Sequence, residues 1–150
     1  MKSFQVVVTL LLLVITLIAC ERQPVVEPDA GAEAPVTGLI EALRAAGITV
    51  EEPVFNTEAR TIEANGESVQ VFVFESEEAA EVAAGTVSQA GTLVGETIVE
   101  WQDAPHFYRE GRLIAIYVGS SEEILSALQG ALGEPFVTGV GMRPPETPES

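Results

Sequence analysis

The chain of 150 residues carries 23 acidic and 7 basic residues, a formal net charge of −16, which excludes polyanionic partners such as nucleic acid. Its length suits one domain with a core of its own. Its single cysteine excludes an internal disulfide.

The first 19 residues have the layout of a secretory signal peptide. Lys2 supplies the positive start, and residues 4–18 supply the apolar segment. The ordinary signal peptidase needs a small residue three positions before its cut, and Leu17 is large. An uncleaved transmembrane helix is the alternative, although the 16 apolar-rich residues 4–19 are few against the roughly 20 that a span needs.

Leu17-Ile18-Ala19-Cys20 closes this segment with branched residues, a small residue and the cysteine. This stretch resembles the lipobox of bacterial lipoproteins. The resemblance implies a diacylglycerol group on the sulfur of Cys20, cleavage before Cys20 and a further acyl chain on the new amine. Because each buried CH₂ contributes about 0.8 kcal/mol, two or three chains hold a small domain on a bilayer. We therefore expect a lipid-anchored protein on the extracytoplasmic face of a cell membrane.

Residues 20–35 are predicted to form an acidic, proline-rich tether. Prolines at 24, 28 and 35 and acids at 21, 27, 29 and 33 favour an extended chain. Loss of the signal peptide removes the only lysine and leaves six arginines against 23 acids, a net charge of about −17. Such a charge keeps the domain away from anionic headgroups.

An apolar stripe at i, i+3, i+4 and i+7 predicts the first helix over residues 36–47, which Thr37 would cap and Gly47 would end. Residues 48–55 favour a strand, and Pro53 places it at a sheet edge or strand end.

Asn65-Gly66 predicts a hairpin over residues 59–75, because both residues accept a positive φ. Its second strand is apolar on both faces and is therefore expected at the centre of the sheet. A second helix is predicted over residues 76–90, with Ser76 as its cap.

Residues 96–101 alternate as a strand, and a second hairpin is predicted over residues 106–118 around Glu110-Gly111. The unbroken apolar run 113–118 is typical of an innermost strand.

Ser120 and Glu123 fit the capping box of a third helix. Residues 137–150, with prolines at 144, 145 and 148, are predicted to be a disordered tail.

This order predicts one α+β domain over residues 36–136, a two-layer sandwich of three helices on a mostly antiparallel sheet of four to five strands. The domain also resembles a group of small bacterial lipoproteins that offers no catalytic residues. The resemblance is clearest at Trp101, Pro105-His106-Phe107-Tyr108, Gly111-Arg112-Leu113 and Tyr117-Val118-Gly119.

Catalytic and metal chemistry find little support in the sequence. The single histidine, His106, has Glu100, Asp103 and Glu110 near it, but zinc enzymes use two or three nitrogen or sulfur ligands. We therefore expect no metal and no cofactor, and a histidine bonded to backbone or water. Capping explains the serines at the starts of the second and third helices, and the helix dipole explains the paired glutamates there. These residues therefore give little support to a serine hydrolase or a glycosidase.

A binding site is the better-supported candidate, and two groups of residues suggest it. Arg109 and Arg112 flank a turn and would grip a carboxylate or phosphate, or pair with the chain's own acids. The aromatic side chains near them form a binding patch or close one end of the core. The candidate binding residues are Trp101, His106, Phe107, Tyr108, Arg109 and Arg112.

The sequence therefore favours a non-enzymatic binding module of the cell envelope, whose partner is an envelope protein or a small ligand. The alternative is an enzyme or metal-dependent factor that uses His106 with Asp103 or Glu100. A third hypothesis makes the domain an inert acidic surface coat.

Overall fold

The structure is a computed structural model that describes residues 30–51, 54–55 and 59–142. The predictions for the signal peptide, Cys20 and residues 20–29 of the tether lie outside the described residues. The elements in chain order are α1 (Ala30–Ala45), β1 (Val54–Phe55), β2 (Arg60–Ala64), β3 (Glu67–Val73), α2 (Glu77–Gly85), β4 (Leu93–Val94), β5 (Thr97–Ile98), β6 (Pro105–Glu110), β7 (Leu113–Val118), α3 (Glu122–Leu132) and β8 (Val137–Thr138).

Six of the described strands form one antiparallel sheet in the order β1-β2-β3-β7-β6-β8, and β4 and β5 form a separate small hairpin. The predicted α+β class, with three helices and a mostly antiparallel sheet, is confirmed over the described residues. The sheet has six described strands rather than the predicted four to five, and helices lie on both of its faces rather than in the single helical layer of a two-layer sandwich. Asn65 (φ 51) and Gly66 (φ 82) turn β2 into β3 as predicted. The β6–β7 turn lies one residue later than predicted, at Gly111-Arg112.

Helices α1 and α3 cover one face of the sheet, and their apolar stripes pack on alternate residues of the central strands. This core contains Leu43, Leu128, Val71, Ala115 and Tyr117, all with almost no solvent exposure. Strands β3 and β7 lie at the centre of the sheet, as the apolar residues on both faces of β3 and the unbroken apolar run of β7 predicted. The periodic residues of α1 are buried because they face this core.

Helix α2 covers the other face, together with the segment that leads to β6. The small side chain of Ala80 allows α2 to lie close to the sheet, and Phe107, Ile114 and Ile116 complete this second core. Ser76 caps α2 as predicted, because its hydroxyl oxygen accepts a hydrogen bond from the Ala79 amide at 3.1 Å. Both faces of the sheet are thus covered, which explains the double-sided apolar pattern of β3 and β7.

Helix α1 begins at Ala30, so the last six residues assigned to the tether are helical, and the predicted start at residue 36 is wrong. Pro35 has no N–H with which to donate to the Gly31 carbonyl one turn earlier. The Arg112 guanidinium donates to that carbonyl instead, at 2.6 Å, and Arg60 donates to the Ala32 carbonyl at the same distance. Side chains that are distant in sequence therefore hold a turn that a proline would otherwise weaken.

The prediction of a disordered tail from residue 137 is wrong for residues 137–142. Strand β8 pairs with β6, and the Gly139 and Met142 amides donate to the carbonyls of Pro105 and Trp101 at 2.8 and 2.9 Å. The sequence did not predict β8, because this short strand is defined only by its pairing with the edge strand β6. The prolines at 144, 145 and 148 lie outside the described residues.

Two local predictions need correction. The alternating segment 96–101 does not form one strand, because only Thr97 and Ile98 pair, as β5, in a short hairpin with β4 that turns at Gly95 (φ 61). Ser121, not Ser120, is the N-cap of α3, and its side chain makes no capping hydrogen bond. No described helix is both long and apolar enough to cross a membrane.

Strand β7 runs between the two ends of the main sheet. We call the end at the β6–β7 turn, Gly111-Arg112, the turn end. We call the opposite end, where β7 leaves the sheet at Gly119, the Gly119 end. The Asn65-Gly66 turn lies at the Gly119 end, because β3 runs antiparallel to β7.

Candidate functional site

The sequence alternation of β6 separates the predicted binding residues onto opposite faces of the sheet. Tyr108 belongs to the core under α1 and α3, whereas Phe107 belongs to the core under α2. Phe107 is 0% exposed and Tyr108 is 2% exposed. These two aromatic side chains are core residues, which is the second of the two interpretations that the sequence left open.

Trp101 closes the core on the α2 side and reaches the surface only in part. Its ring packs edge-on against Phe107, with 5.9 Å between centroids and an interplanar angle of 80°. Its indole Nε1–H donates to the Gly91 carbonyl at 2.6 Å, which satisfies the polar end of the ring. Trp101 therefore holds the 91–101 segment against β6.

The two arginines of the predicted anion grip serve different parts of the molecule. Arg112 donates to two backbone carbonyls, that of Gly31 at 2.6 Å and that of Glu75 at 3.3 Å. Arg109 lies within β6, opposite Ile114, and is half-buried. The structure therefore does not bring both guanidiniums to one ligand-facing position, and Arg112 has a structural use at the turn end.

His106 belongs to a polar cluster at the Gly119 end. Its Nε2 lies 3.1 Å from the Gly119 carbonyl oxygen, and because a carbonyl only accepts, this nitrogen carries the proton. Its ring stacks on Tyr117 at a centroid distance of 6.1 Å. The Tyr117 hydroxyl donates to Glu67 Oε2 at 2.6 Å and accepts from the Ser121 amide at 3.1 Å. The tyrosine hydroxyl thus binds the amide of Ser121, the N-cap residue of α3, and does not cap the amides of the first helical turn.

The environment keeps both aromatic groups of this cluster uncharged. Burial lowers the pKa of His106, although the Gly119 carbonyl and the Asp103 carboxylate partly oppose this effect. Burial, followed by the hydrogen bond to Glu67, raises the pKa of Tyr117 to about 12, against the weaker opposing effect of the Ser121 amide. At neutral pH, His106 is therefore a neutral donor and Tyr117 an intact hydroxyl.

An open groove of about 480 Å³ lies beside this cluster, with Glu67, Gln102, Asp103 and Ser120 in its lining. Gly119 also lines this groove. A side chain at this position would collide with the Tyr117 ring and with Glu67. The groove offers mainly carboxylate and hydroxyl oxygens, so it suits a polar or cationic group. Among the described residues, no three histidine, cysteine or acidic side chains come together to hold a metal ion.

Sequence reasoning missed the exposed apolar side chains. Ile98 is 79% exposed, Val140 is 77% exposed and Met142 is 62% exposed. Hydrogen bonds join their segments to Trp101, whose carbonyl accepts from the Met142 amide and whose indole binds Gly91, two residues before Leu93. We call Leu93, Ile98, Val140 and Met142 the apolar patch.

No signal in the sequence marked the apolar patch. Ile98 was assigned to an alternating strand, and Val140 and Met142 were assigned to the tail. Alternation is typical of a strand with one buried face, and the structure instead leaves the β4–β5 hairpin outside the main sheet.

Comparisons with models of protein families, with curated proteins and with solved structures give no match to this chain.

Proposed function

We propose that this chain is a lipid-anchored extracytoplasmic domain that acts by binding a protein of the cell envelope rather than by catalysis. The lipobox at residues 17–20 supports the anchor and the location. The observation that supports binding is the apolar patch around Trp101. Ile98, Val140 and Met142 remain mostly exposed near the half-buried Trp101, and such a group of large apolar side chains is typical of a surface that a partner covers.

The charge around the apolar patch suggests the chemistry of the partner. Glu96 and Glu100 are exposed in the same segment as Ile98, and the domain as a whole is strongly acidic. Val140 and Met142 flank Gly141, whose backbone packs on Asp103. The complementary surface is therefore an apolar centre with lysine or arginine at its rim, because opposite charges at a rim raise the association rate and select the partner.

The test is photo-crosslinking in the living cell from a crosslinking side chain at Ile98. Ser126 provides the matched control position, since it is exposed on α3 and lies on the opposite side of the sheet. We expect one defined product from position 98 and none of that product from position 126. Met142→Asp should abolish the product, whereas Ser126→Asp should leave it unchanged.

Two outcomes would contradict this proposal. The first is an equal product from positions 98 and 126, and the second is a product that survives Met142→Asp. Circular dichroism of each variant controls for folding, which exposed substitutions should leave intact.

The second candidate function is an activity that uses His106. The observation that favours it is the groove beside the polar cluster, although His106 itself is not part of the groove's lining. Asp103 and Glu67 face this groove, whereas Glu100 is not part of its lining. Titration of the His106 ring by NMR, with and without zinc, tests this candidate. Ring signals that move with stoichiometric zinc would favour it, and His106→Gln would then have to abolish the effect of the protein in cells.

A further inference from the structure

The polypeptide enters the described domain at one defined place, the turn end. Helix α1 begins at Ala30, and the Gly31 carbonyl is bound by Arg112, which lies in the β6–β7 turn. Arg112 also binds the Glu75 carbonyl, just before α2. Three segments therefore meet where the chain arrives from Cys20.

Helix α1 leads from the turn end toward the Gly119 end. Its 16 residues, at a rise of 1.5 Å each, span about 24 Å. Just beyond the helix, the Thr49 amide donates to Asn65 Oδ1 at 2.9 Å, in the β2–β3 turn. The two ends of the domain are thus separated by about the length of this helix.

The apolar patch lies toward the Gly119 end. Trp101 precedes β6, whose first residue, Pro105, pairs with Val118 next to Gly119. Gly139 packs against Pro105, and the chain continues from there to the Met142 amide, which binds the Trp101 carbonyl. The patch therefore sits far from the point at which the chain enters.

We infer that the domain stands on the membrane with its turn end toward the lipid, so that the apolar patch faces the aqueous side. This inference rests on the proposed lipid anchor at Cys20. The partner is accordingly a protein surface that approaches from the aqueous side, and not one embedded in the same bilayer.

The length of chain before α1 favours this orientation. Ten residue steps separate Cys20 from Ala30, and they reach at most about 36 Å when fully extended. A proline-rich, charged chain of that length is extended and spans about 31 Å. To lay the Gly119 end on the lipid, the chain would have to run back along a domain about 24 Å long, which leaves it little conformational freedom.

Energy transfer to lipid headgroups measures this orientation in the full lipidated protein on vesicles of phosphatidylcholine with phosphatidylglycerol. Because Cys20 carries the lipid, one added cysteine is the only site for a thiol-reactive donor dye. Glu110→Cys labels the turn end and Gln102→Cys labels the Gly119 end, and both positions are exposed. We expect several-fold stronger transfer to a headgroup acceptor from position 110 than from position 102.

The same measurement at a second pair of exposed positions, Glu75→Cys and Ser120→Cys, guards against a variant that misfolds. Insertion of 20 glycine and serine residues before residue 28 should bring the two signals closer together, because a longer tether lets the domain turn. Equal or reversed transfer from vesicle-bound protein would overturn the orientation alone. Protein that lacks the lipid mass, or that does not float with the vesicles, would overturn the anchor and the orientation with it.

Discussion

Gly119 is the position at which the smallest possible substitution should have a large effect. An alanine Cβ there would lie 2.7 Å from Tyr117 Cζ and 2.9 Å from Glu67 Oε2, with the Tyr117 hydroxyl oxygen nearer still. Tyr117 cannot move aside easily, because its side chain is fully buried and its hydroxyl is bonded to both Glu67 and Ser121. Gly119→Ala therefore forces either an overpacked core or the loss of this hydrogen bond.

The expected loss of unfolding free energy is about 1 to 3 kcal/mol, because overpacking costs roughly 1–3 kcal/mol and a displaced hydrogen bond about 1 kcal/mol. Gly130→Ala is the matched control. Gly130 lies inside α3, and an added Cβ there would meet no atom within 4 Å. Because alanine is the better helix former, Gly130→Ala should stabilise the protein by about 0.5–1 kcal/mol.

Urea unfolding followed by the fluorescence of Trp101, the single tryptophan, measures both effects. A Tyr117→Phe background removes the hydroxyl that is nearest to the new Cβ, so Gly119→Ala should cost less there, and the difference is the coupling energy. The reasoning is refuted if Gly119→Ala is neutral, or if its cost is the same with tyrosine and with phenylalanine at position 117.

Three further predictions follow from the described contacts. Arg112→Ala should cost about 1–2 kcal/mol in urea unfolding, because two backbone carbonyls lose a charged donor, and hydrogen exchange should quicken in the first turn of α1. The ultraviolet absorbance of tyrosinate at pH 10 should be weaker in the folded protein than in the unfolded protein, because burial raises the pKa of both tyrosines, that of Tyr117 to about 12. The contribution of Tyr117 to the free energy of unfolding should be complete below pH 10 and should decline as the pH rises through about 12. In Tyr117→Phe, the free energy of unfolding should therefore fall less over this pH range. The ring of His106 should titrate by NMR below 6.5, since burial lowers its pKa; its contribution to stability is present above pH 6.5 and is lost as the pH falls through the folded-state value.

Each of these predictions has an outcome that contradicts it. Unchanged exchange at α1 in Arg112→Ala would show that the guanidinium does not hold the first turn, and Arg44→Ala, at the other end of the helix, is the control. A tyrosinate signal at pH 10 that is as strong in the folded protein as in the unfolded protein would contradict the burial of these two hydroxyls. A His106 ring that titrates at or above 6.5 would show that solvent or Asp103 outweighs burial.

Local patterns predicted the parts of the fold that local forces determine. The stripe of α1 and the Asn65-Gly66 turn depend on residues a few positions apart, and both are present. The apolar run of β7 predicted the centre of the sheet for the same reason. The start of α1 could not be predicted, because it depends on Arg112, which lies 81 positions from Gly31 in the sequence.

The candidate site was less predictable than the fold. Neighbours in sequence were taken for neighbours in space, but alternation along β6 sends Phe107 and Tyr108 into different cores. Successive side chains of a strand point to opposite faces of the sheet, so this separation could be predicted once β6 was assigned. The exposure of Ile98 and Met142 could not be predicted from the sequence, because it depends on which segments lie outside the packed core.

The bonds from Arg112 and Arg60 to the first turn of α1 also determine how the domain responds to mechanical force. The proposed lipid anchor would transmit any pull on the protein through the residue at which the chain enters, and a helix pulled from its end opens one turn at a time. Here the first turn is fastened to the β6–β7 turn and to β2, so the load passes at once into the hydrogen bonds of the sheet. The domain should therefore resist extraction forces as one unit, and loss of these two arginines should convert its forced unfolding from a single event into a gradual unwinding of α1.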